Sequence, residues 1–292
     1  MATRPMIDLV RRASLFCLVP FLSCVSLVEA AEKTPATLLV KDALMTPGQP
    51  ATVEARLSAK GLLASTGLGG ELLELIVDGK VVATGMTGGD GRAVLTYHAK
   101  AQGVTPIQVR VGGSPRVLPT EGQANLVAWE RRNPVIAIEM AALMEGRKGE
   151  NPLSGIGLTL ESERKPMPDA ADELNKLTQF YYRVIYVATV PLTSADGLHA
   201  IAEVRAWLNA HKFPPGYIVM LSPGESVWGA KIDELHAAGW KNLKTGISRS
   251  KAFAEACLQR RLEAVVISDS ATGEAPRKAK VAKNWKEVRK KL

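Results

Sequence analysis

The chain has 292 residues, which fits two domains better than one, because most domains hold about 100–200 residues. Hydrophobic residues make up 46% and charged residues 23% of the chain, so disorder, collagen-like repetition and a disulfide scaffold are excluded for the chain as a whole. The formal net charge is +8. Of the three cysteines, only Cys257 lies beyond the first thirty residues, so no intrachain disulfide is expected after them.

The first thirty residues have the pattern of an export signal. An apolar run over residues 13–28 follows three arginines, and the small residue Ala30 ends a segment suited to cleavage. The run contains Pro20 and is shorter than the about 20 apolar residues of a membrane-spanning helix. We therefore predict a signal peptide over residues 1–30 that is removed before Ala31, with an uncleaved anchor as the alternative.

Export determines the predicted location, which is periplasmic or secreted. The stretch Phe21-Leu22-Ser23-Cys24 faintly resembles a bacterial lipoprotein box. Lipidation at Cys24 is the less favoured alternative, because Phe and Leu fit the two outer positions of that box poorly. No other segment of the sequence has the length and hydrophobicity of a membrane span.

Residues 31–130 alternate short β-rich runs with turns. Several runs alternate apolar and polar residues, which predicts strands with one buried face. Asp78-Gly79 between two apolar runs predicts a β-hairpin, and residues 88–91 form a glycine-rich turn. About seven short strands in roughly 100 residues predict a β-sandwich. The clearest runs cover residues 37–40, 52–57, 72–77, 93–97 and 107–111.

This segment resembles bacterial immunoglobulin-like domains. The resemblance is carried by the hairpin Leu75-Ile76-Val77-Asp78-Gly79-Lys80-Val81-Val82 and by the turn Thr87-Gly88-Gly89-Asp90-Gly91-Arg92-Ala93. It implies an immunoglobulin-like sandwich that serves as a spacer, presentation or adhesion module. The cysteine pair of antibody domains is missing, and the isolated His98 is interpreted as a surface residue of a strand.

From residue 131 to residue 292 the pattern changes to strands that alternate with helices. Continuous apolar strands between amphipathic helices predict a doubly wound parallel α/β sheet covered on both faces. In such sheets the ligand crevice lies beyond the carboxyl ends of the strands. No glycine-rich dinucleotide fingerprint or phosphate loop follows any strand. We expect strands over residues 135–139, 184–187, 217–221, 243–247 and 264–268, and helices over residues 169–179, 196–211, 228–238 and 250–261.

This second segment resembles the haloacid-dehalogenase-like phosphohydrolases, and within them the lipin-like and actin-patch phosphatidate phosphatases. Residues 135–143 match an apolar strand that runs into that family's Asp-x-Asp-x-Thr motif, and residues 183–191 match its second strand. Lys231 falls where a phosphate-neutralising lysine is expected, and residues 246–253 resemble the loop that supplies a metal-binding Asp. The resemblance covers most of residues 134–292 and implies a HAD-like Rossmannoid fold.

Four positions depart from the motifs of that family. Glu139 replaces the nucleophilic Asp, Ala141 replaces the acid/base Asp, and Leu143 replaces Thr. A phosphoaspartyl mechanism needs a carboxylate at in-line distance, a second carboxylate that exchanges a proton, and Mg²⁺. Ala141 has no proton to give, and Lys251 brings a positive charge to the metal loop. We therefore expect no metal site and no cofactor, with Mg²⁺ bound only if phosphatase activity survives.

The polar residues that remain near the predicted strand ends form the candidate site. If the protein is active, the expected catalytic residues are Glu139, Lys231 and Asp269, and the expected ligand-binding residues are Thr189, Ser248 and Arg249. Each also has a structural interpretation: Lys231 and Arg249 suit solvated helix surfaces, Ser248 or Ser250 a helix cap, and Asp269 a turn. A purely structural salt bridge from Glu139 to Lys231 is a further alternative.

Two further segments leave alternatives open. Residues 151–168 form a polar loop with proline and glycine, which predicts either a lid over the crevice or a flexible insertion. The last sixteen residues, 277–292, carry eight Lys and Arg against Glu287, which is 8 − 1 = +7. Apolar residues at positions 281, 285, 288 and 292 predict a basic C-terminal helix packed on its own domain, with docking on an anionic envelope component as the alternative. Nucleic acid is not an expected partner.

These observations favour an exported, non-catalytic protein of the cell envelope, a pseudo-phosphatase whose fold has lost its chemistry and serves as a binding or structural module. A fold by itself does not confer activity, so the missing motif residues carry this interpretation. The alternative function is a divergent phosphatase or other hydrolase that acts on a phosphorylated lipid or a small metabolite.

Overall fold

The computed structural model describes residues 32–60, 65–99, 101–145, 164–189, 196–222, 224, 227–268 and 275–292. Residues 33–292 form one compact unit. The predicted signal peptide and most of the predicted loop over residues 151–168 lie outside the described residues. Among the helices of the described ranges, none combines the length and the hydrophobicity needed to cross a membrane.

The first half of the unit is a β-sandwich. One sheet joins β1, β3, β4 and β7, and the other has the order β2-β9-β8-β5-β6. Pairing is antiparallel except between β2 and β9. The strands are β1 (Ala36–Val40), β2 (Ala43–Met45), β3 (Pro50–Lys60), β4 (Ser65–Gly67), β5 (Leu72–Val77), β6 (Lys80–Met86), β7 (Arg92–His98), β8 (Gly103–Val111) and β9 (Glu121–Ala128).

Buried and exposed residues alternate along these strands, so one face of each sheet lies in a shared core. Val53 and Leu57 of β3 and Leu73 and Leu75 of β5 are fully buried within it. Nine strands occur in the described residues rather than about seven, because β2 and β4 have three residues each and are too short to show alternation. The sandwich itself agrees with the sequence-based expectation.

The turn residues act as the sequence predicts. Asp78 and Gly79 join β5 to β6 with φ of 49° and 74°, the pair of positive angles that a tight hairpin turn requires. Gly91 closes the next turn with φ of 77°, and a Cβ there would lie 2.1 Å from the carbonyl oxygen of Leu57. Only glycine fits this close approach between backbones.

The second half is a six-stranded parallel sheet with the order β12-β11-β10-β13-β14-β15. Helices α1, α2 and α5 share one buried cluster with the sheet, and α3 and α4 share another. The elements are β10 (Val135–Glu139), α1 (Ala170–Phe180), β11 (Arg183–Thr189), α2 (Asp196–Ala210), β12 (Tyr217–Leu221), α3 (Val227–Ala237), β13 (Leu243–Ser248), α4 (Lys251–Gln259), β14 (Glu263–Ile267), β15 (Lys280–Ala282) and α5 (Trp285–Lys291).

One prediction about the C terminus is wrong in part. Val281 is not the first residue of an apolar helical stripe, because it lies in β15, a sixth strand, with 45% of its surface exposed. The terminal helix begins only at Trp285, which is buried together with Val288. A strand of three residues between lysines carries no periodicity that the sequence could reveal.

The two halves share buried contacts. Trp129, just after β9, packs edge-on against Trp240 of the α/β half, with ring centroids 6.4 Å apart. Val127 and Trp129 belong to the same apolar cluster as Ile185 and Trp228. Each half nevertheless has a core of its own. The division into domains 31–130 and 131–292, and their separate folding, remain predictions.

Candidate functional site

The strand order fixes where a crevice opens at the carboxyl edge of the parallel sheet. Successive connections run outward in one direction from β10 through β11 to β12, and in the other from β13 through β14 to β15. The order therefore reverses between β10 and β13, and ligands of such sheets bind outside the carboxyl ends at this switch point. Glu139 ends β10 there, and Ser248 ends β13 beside it.

Glu139 is held by donors from the loop that follows β13. Its Oε2 accepts hydrogen bonds from the main-chain N–H of Arg249 at 2.9 Å and of Ser250 at 3.0 Å. Its Oε1 accepts a hydrogen bond from the Ser250 hydroxyl at 2.7 Å. The N–H groups at the start of a helix lack intrahelical partners and attract negative charge. A half-buried carboxylate of the protein itself thus occupies the position beside α4 that an anionic ligand would favour.

The Ser250 side chain completes the start of α4. Ser250 has extended backbone angles, and its Oγ accepts a hydrogen bond from the Phe253 N–H at 3.3 Å, which makes it the N-cap. The predicted role of a serine as a helix cap is therefore confirmed. The fully buried Ser248 donates from its hydroxyl to the Ser250 carbonyl at 3.2 Å. Arg249 donates from Nη1 to the Met144 carbonyl at 3.1 Å, across to the segment after β10.

The predicted salt bridge between Glu139 and Lys231 is wrong. The Lys231 ammonium donates instead to Glu234 at 2.6 Å, one turn further along α3. A neighbour three residues away on the same helix is within easy reach of the lysine. The Glu139 carboxylate, for its part, is already engaged by the loop of Arg249 and Ser250.

The other predicted ligand-binding positions are placed as follows. Thr189 is the half-buried last residue of β11, in register with Leu221 of β12. Ala188 of the same strand is fully buried. Asp269 lies outside the described residues. The structure therefore brings together Glu139, Ser248 and Arg249 from the predicted set.

The residues at the switch point do not fit Mg²⁺. This cation prefers carboxylate oxygens and water, whereas the loop after β13 supplies two serines, Arg249 and Lys251. Both oxygens of Glu139 are engaged by N–H and O–H donors. Lys251 lies 3.9 Å from Glu255 on its own helix. Over the described ranges, no group of three or more His, Cys, Asp or Glu side chains is placed to hold a metal ion.

Cys257 has no part in this site. The thiol is fully buried in α4, accepts a hydrogen bond from the indole N–H of Trp228 at 3.3 Å, and has a pKa that burial raises to about 12. A Cβ on Gly246 of β13 would lie 2.4 Å from the Cys257 Sγ, so the glycine makes room for the sulfur. Cys257 therefore packs in the core of the α/β half.

Sequence reasoning missed a second polar cluster, which lies between the two halves. The Asp42 side chain, fully buried, forms an ion pair with Arg205 of α2. It also accepts hydrogen bonds from the main-chain N–H of Asn125 at 2.8 Å and of Ile218 at 3.3 Å. An aspartate between two short strands resembles an ordinary turn former, so nothing in the sequence distinguishes it.

No family model matches the chain, and no curated protein matches it. Among solved structures, a D,D-heptose 1,7-bisphosphate phosphatase from Burkholderia thailandensis is 10% identical, with 55% of this chain and 97% of that chain covered and a TM-score of 0.36. The titin M3 domain is 16% identical, covers 32% of this chain and 97% of its own, and has a TM-score of 0.23. The D00-D0 domain of intimin is 14% identical, with coverages of 31% and 48% and a TM-score of 0.22.

These neighbours are a phosphatase of the haloacid-dehalogenase type and domains of the immunoglobulin-like type. Likeness at such TM-scores describes an arrangement of strands and helices and says nothing about chemistry. The architecture of each half therefore rests on its observed strand order.

Proposed function

We propose that the α/β half is a HAD-like module without phosphatase activity, carried with an immunoglobulin-like sandwich as a binding or structural part of an exported protein. One observation supports this most strongly. The carboxylate of Glu139, at the position of the family's nucleophile, is turned toward Arg249 and Ser250 and accepts three hydrogen bonds there. Both oxygens of the carboxylate are thus engaged by donors of the protein itself.

The chemistry of phosphoryl transfer explains why this arrangement disfavours catalysis. A nucleophilic carboxylate must present a free oxygen in line with the leaving group. Attack by Glu139 would give up hydrogen bonds at the start of α4, and Ala141 offers no group to protonate the leaving oxygen. Because Mg²⁺ does not fit the loop after β13, no cation is proposed to offset the phosphate charge.

The second candidate is a divergent phosphatase or hydrolase for a phosphorylated lipid or small metabolite. Glu139 remains half-buried at the switch point with the cationic Arg249 beside it, which is the observation that favours this candidate. Lys231 and Asp269 would be its further catalytic residues, with Thr189, Ser248 and Arg249 as ligand-binding residues.

Turnover of p-nitrophenyl phosphate and phosphatidate by the full chain, with and without Mg²⁺, separates the two candidates. We expect no Mg²⁺-dependent activity above that of the Glu139→Ala variant. Glu139→Asp, which restores the residue type of the family, is also expected to be inactive, because Ala141 stays unchanged. A kcat of about 1 s⁻¹ or more that Glu139→Ala abolishes would overturn the non-catalytic proposal and establish the phosphatase.

The same proposal includes a periplasmic or secreted location and an anionic envelope component as the partner. The export signal predicted over residues 1–30 would place the protein in the periplasm or outside the cell. Basic side chains around β15 and α5 supply positive charge for an anionic envelope component. Four of them are exposed and have no carboxylate within ion-pair distance among the described residues: Arg277, Lys278, Lys283 and Lys290.

A further inference from the structure

A cleft of about 450 Å³ lies between the sandwich and the amino-terminal edge of the parallel sheet. Gln102 and Val104 at the start of β8 form one wall, and Arg183 at the start of β11 forms part of the other. Arg183 pairs with Val135 and so lies at the opposite end of the sheet from Glu139. The cleft is therefore a separate place from the switch point, and clefts between domains are favoured positions for ligands.

Apolar surfaces lie in and beside this cleft. Tyr182 and the consecutive Pro214 and Pro215 line it. Next to them, Phe180 and Tyr181 at the end of α1 have exposures of 83% and 63%. Tyr181 packs edge-on against Tyr182 with ring centroids 4.8 Å apart, so the exposed ring of Tyr181 lies directly beside the cleft lining. Adjacent large apolar side chains left in water mark a site of interaction.

The polar groups of the cleft are available for a ligand. Among the described residues, the side chains of Gln102, Gln179 and Arg183 form no hydrogen bond and no ion pair. Asn175 donates both amide hydrogens, to the carbonyls of Ala171 and Lys212 at 2.9 Å each, which leaves its own carbonyl oxygen to accept. No Asp or Glu belongs to the described lining, so the charge of Arg183 is not neutralised there.

We propose that this cleft binds an acidic oligosaccharide. Sugar hydroxyls both donate and accept, which suits the two glutamine carboxamides and the free carbonyl of Asn175. The C–H faces of sugar rings suit the flat surfaces of Tyr181, Tyr182 and the prolines. A carboxylate on the sugar pairs with the planar guanidinium of Arg183, which can donate two parallel hydrogen bonds to it. The proposal does not depend on whether the switch point is catalytic.

Isothermal titration of the full chain tests this proposal with trigalacturonic acid as the acidic probe and maltotriose as the neutral one. We expect trigalacturonic acid to bind with a Kd below about 1 mM, and maltotriose at least about tenfold more weakly. Arg183→Gln should weaken binding of trigalacturonic acid about tenfold and leave maltotriose unchanged. Tyr181→Ser should weaken both, because the stacking surface serves either sugar.

Arg92→Gln is the matched control, since Arg92 is an exposed arginine of β7 that does not line the cleft. Arg183→Lys keeps the charge, so its affinity for trigalacturonic acid should lie between those of wild type and Arg183→Gln. This variant also provides a test if Arg183→Gln does not fold. A Kd of trigalacturonic acid well above about 1 mM would overturn the proposal. An equal loss in Arg92→Gln and Arg183→Gln would overturn it too, because the attraction would then be a property of the whole basic surface.

Discussion

Two carboxylates occupy comparable settings in different regions of the molecule. Asp42, between the halves, and Glu139, at the switch point, each accept hydrogen bonds from two main-chain N–H groups and one side-chain donor. The third donor is the cationic Arg205 at Asp42 and the neutral hydroxyl of Ser250 at Glu139. The donors of Asp42 come from β9, α2 and β12, whereas those of Glu139 come from one loop. With similar hydrogen bonds, Asp42 thus holds distant segments together, whereas Glu139 occupies a position that a ligand would favour.

Asp42 and Glu139 also differ in burial, because the Asp42 side chain is fully buried and Glu139 is half-buried. Burial raises the pKa of the Asp42 carboxyl above its ordinary value of 3.8, while the guanidinium of Arg205 and the two N–H donors act in the opposite direction. A raised pKa means that the folded protein binds the proton more readily than the unfolded chain. The contribution of this group to stability therefore declines as the pH rises above 3.8. Glu139, half-buried and hydrogen-bonded at a helix start, keeps access to water.

The largest expected effect is that of Asp42→Ala. This substitution leaves Arg205 without its charge partner and leaves the N–H groups of Asn125 and Ile218 without acceptors. Breaking a buried ion pair on one side costs about 3–5 kcal/mol, so urea denaturation should show a loss of that order in the free energy of unfolding. Asp233→Ala is the control, because Asp233 pairs with Arg260 at the surface, and its loss should be much smaller.

Asp42→Asn sharpens this prediction. The amide keeps an oxygen for one main-chain donor but has no charge for Arg205, so its stability should lie between those of wild type and Asp42→Ala. If Asp42→Ala and Asp233→Ala lost equal stability, the proposed role of the Asp42 cluster in joining the two halves would be wrong.

A smaller effect is expected at Glu139. Glu139→Ala leaves two N–H groups and a hydroxyl at the start of α4 without the carboxylate, and we expect a loss of about 1–3 kcal/mol. Glu139→Gln should lose less, because its carbonyl oxygen can accept from the N–H groups while its NH₂ donates to the Ser250 hydroxyl. Chemical denaturation of both variants measures the difference.

Glu255→Ala serves as the control for α4, since Glu255 lies on the same helix with a half-exposed side chain. An unchanged stability in Glu139→Ala would contradict the hydrogen-bonded geometry on which the proposed function depends.

The smallest effect concerns pH and another buried carboxylate, that of Glu173 of α1. Its partners are cations rather than N–H groups: Lys176 at 2.7 Å and Arg289 at 2.5 Å. The hydrogen bond from Lys176, aided by Arg289, holds the pKa of Glu173 below its ordinary value of 4.5. The folded state therefore binds this proton less readily than the unfolded chain, and stability is present at neutral pH and lost as the pH falls through the folded pKa.

Unfolding free energies measured from pH 7 down to acid pH should accordingly fall less steeply in Glu173→Gln than in wild type once the pH drops below about 4.5. Asp172→Asn, which changes a neighbouring exposed carboxylate of α1, should follow the wild-type slope. Parallel slopes for Glu173→Gln and wild type would contradict the assignment.

Local patterns explain how much of the molecule the sequence predicts. Asp78-Gly79 and Ser250 act through their immediate neighbours, so their roles as hairpin turn and helix cap are visible in the sequence. The alternation of strands and helices after residue 131 is visible for the same reason, as is the position of Glu139 at the end of a strand.

Other features depend on contacts between distant segments and are hidden from the sequence. Asp42 meets Arg205 and Ile218 only after the two halves are in place. The short strand β15 exists because β14 offers it an edge, and its lysines suggest no strand on their own. The wrong partner predicted for Glu139 has a similar origin, because family spacing suggests Lys231 while the nearest donors are main-chain N–H groups that no sequence pattern displays.

The burial of Cys257 gives the protein a built-in chemical probe. In a mature chain starting at Ala31 it would be the single thiol, and with a pKa raised to about 12 it exists almost wholly in the unreactive protonated form at neutral pH. A thiol reagent can modify it only when α4 separates from β13 and Gly246 no longer covers the sulfur. The rate of Cys257 labelling therefore reports how often α4 separates from the sheet near Glu139, and no cysteine has to be introduced by substitution.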